Sequence, residues 1–212
     1  MSLPLVSIVT PTLPGREALL IRRCMVSIMS QDYEGEIEHV VVSDANPKLR
    51  NAFDGTHLVR LVEIGDNWRN ATTERSTGGV AWMIGSYLAL GDFVGFCGDD
   101  DELLPHHVSA HVEAMQREQA TWSLSKVEFR AHGEPTGMVV GDTSYALGHL
   151  DATGIMCFKG ALGVARWNPN GENATDWQMV NGWRNAGLVG AFVDDVTGIH
   201  HDGWLIGKSG VA

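Results

Sequence analysis

Three consecutive carboxylates, Asp99, Asp100 and Asp101, close the stretch FVGFCGDDD at residues 93–101, directly after an apolar run that reads as a buried strand. Adjacent carboxylates repel and raise one another's pKa unless a cation or strong hydrogen bonds compensate them. An acidic strand-to-helix turn is the competing reading, with Asp101 near the N-cap and Pro105 in the first turn of the next helix. Other groups able to do chemistry are spread along the chain. Asp44 ends the β-branched run IEHVVVSD, Glu172 and Asp176 stand in GENATDW, and His200 and His201 follow a strand-like segment. Neighbours on a strand point to opposite faces, so one ion is served by one of these two histidines. His106, His107 and His111 share helical spacing, which reads as an exposed helix face rather than a second metal site.

These groups need elements to bring them together. Leu5 to Thr10 reads as a strand broken by Pro11 and Pro14-Gly15, and Leu20, Ile21, Cys24, Met25 and Ile28 then follow helical spacing. Further strands are expected at 37–44, 57–64 and 93–97, and helices near 73–90 and from Pro105 to Glu118. The second half gives strand-like segments at 121–131, 153–162 and 188–201, and a helix over 176–187 with Gly187 as its C′ residue. Strands alternating with helices predict an α/β fold with a mainly parallel central sheet flanked by helices. Ligands of such sheets bind beyond the carboxyl ends of the strands. Pro11, Thr12, Asp44 and the Asp99–Asp101 group occupy three such ends, which favours a site over a plain acidic turn.

The 212 residues, 44% apolar and 19% charged, describe one globular unit with a sizeable core. A net charge of −11 argues against non-specific binding to nucleic acid or anionic membrane. Cys24, Cys97 and Cys157 lie apart inside apolar segments and read as buried thiols of a reducing compartment. With neither a basic leader nor about 18 consecutive apolar residues, the expected location is the cytoplasm, without an integral membrane segment.

Four stretches together resemble the family 2 nucleotide-sugar glycosyltransferases, whose fold is called GT-A. VSIVTPTLPGR (6–16) is similar to that family's opening strand and loop, and HVVVSDAN (39–46) to its second strand with a terminal aspartate. GDFVGFCGDDDELLPHHV (91–108) resembles its acidic metal motif and the following helix. ATDWQMVNGWRNAG (174–187) resembles its later acidic-aromatic helix, and the order matches along nearly the whole chain. The resemblance implies one GT-A domain over residues 1–212, with a nucleotide-binding half at 1–101 and an acceptor and catalytic half at 102–212.

It also implies roles. A divalent cation, Mn2+ or Mg2+, would neutralise the departing diphosphate as a Lewis acid, with Asp100 as its main ligand and Asp101 and His200 beside it. Asp99 would face the ribose or donor sugar or hold metal-bound water, Asp101 would alternatively support the loop or cap the helix, and the resemblance leaves open which of the three binds the metal directly. Asp44 would bind the nucleotide, Pro11, Thr12, Leu13 and Arg16 would shape the base pocket, and Arg75 would contact the nucleotide or hold the acidic loop. Asp176 would be the general base of an inverting transfer, with Glu172 as the alternative. Trp177 would pack in the core or stack on an acceptor ring, and Trp204 and Lys208 would belong to a closing loop. One departure stands out: Gly98 occupies the place where the family's first aspartate commonly stands, so the Asp-X-Asp spacing is shifted by one.

The function these implications describe is metal-dependent transfer of a sugar from a nucleoside diphosphate sugar, UDP favoured, to a hydroxyl of a saccharide, glycolipid or protein, with a modified DNA base left open. A catalytically inactive nucleotide- or sugar-binding module of the same fold is the alternative. A nucleotidyltransferase would want a glycine-rich basic phosphate loop, and TPTLPGRE has one glycine there.

Overall fold

The computed structural model describes residues 2–53, 59–65, 79–169 and 175–201. Nine strands form one sheet: β1 (Val6–Thr12), β2 (Ile37–Asp44), β3 (Val59–Ile64), β4 (Phe93–Phe96), β5 (Glu102–Leu103), β6 (Trp122–Ala131), β7 (Glu134–Val140), β8 (Ile155–Phe158) and β9 (Gly190–His201). Their spatial order is β3-β2-β1-β4-β8-β6-β9-β5, with β7 paired to β6. The half from β3 to β4 is wholly parallel. The other half is mixed: β8 runs antiparallel to β4 and β6, while β9 is parallel to β6 and antiparallel to β5.

Both faces of the central strands are covered. Val40 and Val42 of β2 point into one core with Val9, Phe96 and Trp82, while Val41 points into the other with Val6, Ile8 and Cys24. A continuous valine run is what a strand buried on both sides requires. Helix α3 (Gly79–Leu88) and helix α5 (Thr175–Asn185) cover the first face. On the second lie α1 (Glu17–Leu19), a π turn over Leu20–Cys24, α2 (Met25–Met29) and α4 (His107–Glu118). Trp82 stacks on Trp167 at 5.2 Å, and Phe96 meets Trp167 edge-on at 5.0 Å. Trp82, Trp122, Trp167 and Trp183 are thus core residues.

Strand β1 runs through Pro11 without losing a ladder bond. The carbonyl of Val9 accepts from Cys97 N on the β4 side, and Pro11, two residues on, faces the same side after β4 has ended at Phe96. Helix α5 ends as its glycine predicts: Gly187 has φ +76°, and Leu188 N and Gly187 N donate to the carbonyls of Trp183 and Arg184. The expected strand at 153–162 is shorter, Ile155–Phe158, between two 3-10 turns. The hairpin partner β7 was not expected. Its turn is carried by His132 and Gly133, both with positive φ (55° and 86°), as a two-residue hairpin loop requires.

The histidine cluster corrects the exposed-face reading. His107 and His111 are fully buried beneath α4, with rings 4.4 Å apart. Their Nδ1 atoms pair with the hydroxyls of Thr197 (2.8 Å) and Ser123 (2.7 Å), and their Nε2 atoms make no hydrogen bond. Apolar spacing predicts the buried face of a helix, but a hydroxyl on the sheet below lets imidazole take an apolar position. His106, by contrast, faces Asp195 at 3.3 Å.

Burial holds His107 down at about 3 and His111 well below the usual imidazole range. Below the ordinary value of 6.5 the unfolded chain therefore binds protons that the folded chain refuses. Relative to a His107→Gln, His111→Gln variant, the wild-type protein should lose stability as pH falls from 6.5 toward 4, read as a narrowing or reversal of the difference in urea midpoint. A pH-independent difference would show that neither ring is held neutral by the fold.

Candidate active site

The topology brings five chain segments to one rim of the sheet. The parallel strands β1, β2 and β4 deliver Thr12, Asp44 and the loop after Phe96 by their carboxyl ends. Strand β8 is antiparallel to β4, so its amino end, with the turn Asp151–Gly154 before it, lies at the same rim. Two reversals from β4 through β8 to β6, then the parallel pairing of β9, place the carboxyl end of β9 there as well, with His200 and His201.

The three carboxylates divide among different partners. Arg16, just before α1, places Nε 2.8 Å from Asp99 Oδ1 and pairs through Nη2 with Asp100. Arg23 Nη1 donates to the Asp100 carbonyl at 3.0 Å. Burial pushes Asp99 up to about 7, against the pull of the Arg16 charge; the Asp100 charge adds to the rise, and a Thr12 hydroxyl opposes it. Asp101 turns the other way. Its Oδ1 accepts from His201 N at 3.0 Å and its Oδ2 from the Thr153 hydroxyl at 3.1 Å.

Gly98 is explained by this turn. A Cβ at that position would stand 3.0 Å from Asp101 Cγ and closer still to its Oδ2. The side chain that the resemblance expects at 98 would therefore displace Asp101. Beneath the loop, Cys97 and Cys24 are buried free thiols with sulfurs 3.7 Å apart.

His200 faces Asp101, while His201 turns away to Glu102 Oε1 at 2.7 Å. The Nδ1 of His200 lies 3.5 Å from Asp101 Oδ1 and 3.2 Å from Asp151 Oδ2, and its ring stacks on Phe129 at 4.5 Å. Burial opposes a charge on this ring, but Asp101 and then Asp151 outweigh it and raise the imidazole to about 11. Yet Nδ1 makes no well-aligned hydrogen bond with either carboxylate. One ligand atom each from Asp101, Asp151 and His200 lies within 4.8 Å of the others. Two carboxylate oxygens and an imidazole nitrogen are a donor set that fits Mn2+, and an unaligned buried nitrogen facing two anions is what a cation between them would satisfy.

Asp176 stands in the first turn of α5, accepting from Trp177 N at 2.7 Å. Burial raises it to about 6, helped by the negative charge of Asp151, while His200 pulls it back. The Trp177 indole donates to the Tyr145 carbonyl at 3.0 Å and packs against the core.

The expected residues therefore meet unequally. Pro11 and Thr12 end β1, Leu13 and Arg16 follow in the loop after it, and Asp99 and Asp100 pair with Arg16. Leu13 offers its carbonyl to Asn46 Nδ2 at 3.4 Å, which ties this loop to the end of β2, where Asp44 is buried. Asp101 and His200 form a separate group with Asp151, and Asp100 is not part of it. Arg75, Glu172, Trp204 and Lys208 lie outside the described residues. Asp151 and Asn46 were missed. An Asp three residues before a Gly signals a turn, but only the antiparallel direction of β8 puts that turn at the site.

Residues 7–137 match glycosyl transferase family 2. Over 112 residues, 49% of the chain, it is 37% identical to the O-antigen biosynthesis protein RfbC of Myxococcus xanthus, of which it spans 8%. The fold is similar to that of S. aureus TarS 1-349, with TM-score 0.69 at 16% identity over 95% of this chain and 60% of that one. The same protein solved in complex with UDP and with UDP-GlcNAc gives TM-score 0.70 in each case. With a match covering well over half its residues, including β1, the acidic loop and α4, the chain belongs to glycosyltransferase family 2.

Proposed function

We propose that this domain transfers a sugar from a nucleoside diphosphate sugar, UDP favoured, to an acceptor hydroxyl, with inversion and with a divalent cation. The observation that carries the reading is the division of the rim: Arg16 compensates Asp99 and Asp100, whereas Asp101 and His200 leave a cation-sized group beside the buried carboxyl of Asp176. Family membership and the UDP-bound state of a protein with the same fold support the donor class. Residues 1–101 then act as the nucleotide half and 102–212 as the acceptor and catalytic half of one GT-A domain. Saccharide, glycolipid or protein hydroxyls are the acceptor classes.

Asp101 and His200 would hold the cation, Mn2+ favoured over Mg2+ by the imidazole ligand. When bound, it supplies charge neutralisation to the departing diphosphate. The chain's own groups do the rest. Asp44 and the loop from Pro11 to Arg16 hold the nucleoside side, with Arg75 as a further contact. Arg16, already between Asp99 and Asp100, orients Asp99 toward the donor. Asp176 accepts the proton of the attacking hydroxyl; a carboxyl raised toward neutrality is a stronger base than a free one once ionised, and it is ionised at pH 7.

Calorimetric titration with UDP, GDP, CDP and dTDP, with and without Mn2+, tests the donor site. One nucleotide should bind in a metal-dependent way, and Asp101→Asn should abolish that dependence. Asp176→Asn should leave nucleotide binding intact and lower transfer, or slow hydrolysis of the donor, by about 10²–10⁴-fold. Retained turnover in Asp176→Asn would remove it as the base. The rate should also rise with pH through a limb near 6, where Asp176 loses its proton, and Asp176→Asn should lack that limb.

A further inference from the structure

We infer that Asp151 is a direct ligand of the divalent cation, so that the ion is held by two carboxylates and one imidazole from three separate segments, and Asp100 stays outside its shell. This deepens the proposed function and rests on a cation being bound at Asp101 and His200.

Four observations lead to it. First, Asp151 Oδ2 is nearer to His200 Nδ1 than Asp101 Oδ1 is, at 3.2 Å against 3.5 Å. Second, its two oxygens have separate tasks: Oδ1 caps the 3-10 turn Ala152–Gly154 by accepting from Thr153 N at 2.9 Å, which leaves Oδ2 for the group. Third, one residue fixes both carboxylates, because the Thr153 hydroxyl donates to Asp101 Oδ2 while the Thr153 amide holds Asp151. Fourth, Asp151 approaches the same ring nitrogen that Asp101 approaches. A carboxylate that only orients a metal-bound imidazole occupies the nitrogen on the far side of the ring from the ion. Here both carboxylates share the Nδ1 side, as ligands of one ion do.

Charge and position agree. Asp101 and Asp151 supply two negative charges in a largely buried group, which a divalent ion with a neutral imidazole balances. Asp100 is already paired with Arg16 and is absent from the group. Three protein ligands should hold an ion before any nucleotide arrives, whereas Asp101 and His200 alone would depend on diphosphate oxygens to complete the shell.

The test is Mn2+ binding to the purified protein without nucleotide, followed by loss of the free-ion electron paramagnetic resonance signal, with water-proton relaxation counting the waters on the bound ion. Wild type should bind one Mn2+. Asp151→Asn keeps an oxygen to cap the turn but puts an amide nitrogen where the ligand oxygen stood. It should weaken binding by about tenfold or more and add one water to the bound ion. Asp151→Glu, which retains a carboxylate, should lose less affinity than Asp151→Asn, and it carries the test if the Asn variant does not fold by circular dichroism. Unchanged affinity in Asp151→Asn overturns the inference. Weaker binding with an unchanged water count also overturns it, because it makes Asp151 a positioning residue. Mn2+ bound by wild type only when UDP is present overturns it too, while leaving the transferase reading standing.

Discussion

Like charges on consecutive residues must be compensated one by one, and the fold around the end of β4 is arranged by that need. Asp99 and Asp100 lean on Arg16, which stands before the first helix, and Arg23 fixes the Asp100 carbonyl. Asp101 is pulled away toward Thr153 and the His201 amide. Neither partnership would be available to a loop on an isolated strand. One draws on the segment after β1 and the other on the turn before β8 and the end of β9, so the sheet order itself is what makes three adjacent aspartates tolerable. Gly98 completes the arrangement by leaving room for the Asp101 carboxylate.

Strand direction then decides which residues become neighbours. In the parallel half, carboxyl ends gather at one rim by rule. The mixed half reaches the same rim by a different route, since an antiparallel strand contributes its beginning where its neighbour contributes its end. Asp151 and His200 are 49 positions apart by their numbering, at the start of one strand and the end of another. Pairing of β8 and β9 with β6 closes that separation to a hydrogen-bond distance.

This difference also explains how far the sequence could be read. Strands β1 and β2 announce themselves by β-branched runs and β4 by an apolar one between turn residues, and their shared direction follows from the intervening helices, so the gathering of their carboxyl ends at one rim was legible. Residues 153–162 also looked like a strand, but nothing in a short apolar segment states its direction, and Asp151 was invisible for that reason. His107 and His111 failed for another cause. Their helical spacing read as an exposed face because imidazole is polar, and the hydroxyls of Ser123 and Thr197 that make the buried face of α4 hospitable to it come from other strands. The two-residue β5 is too short to carry any pattern and exists only because β9 runs beside it.

The Asp101 carboxylate has both oxygens engaged, one by a backbone amide of β9 and one by the Thr153 hydroxyl. It cannot swing without breaking a bond to a different element on either side. Flexible carboxylates accommodate ions of many sizes, because they change between one-oxygen and two-oxygen contact as the ion grows. A carboxylate clamped in this way gives up that freedom. The proposed cation beside it would therefore be selected by ionic radius, with a small ion of short, fixed bond lengths favoured over calcium, whose larger and looser shell the clamp would not serve.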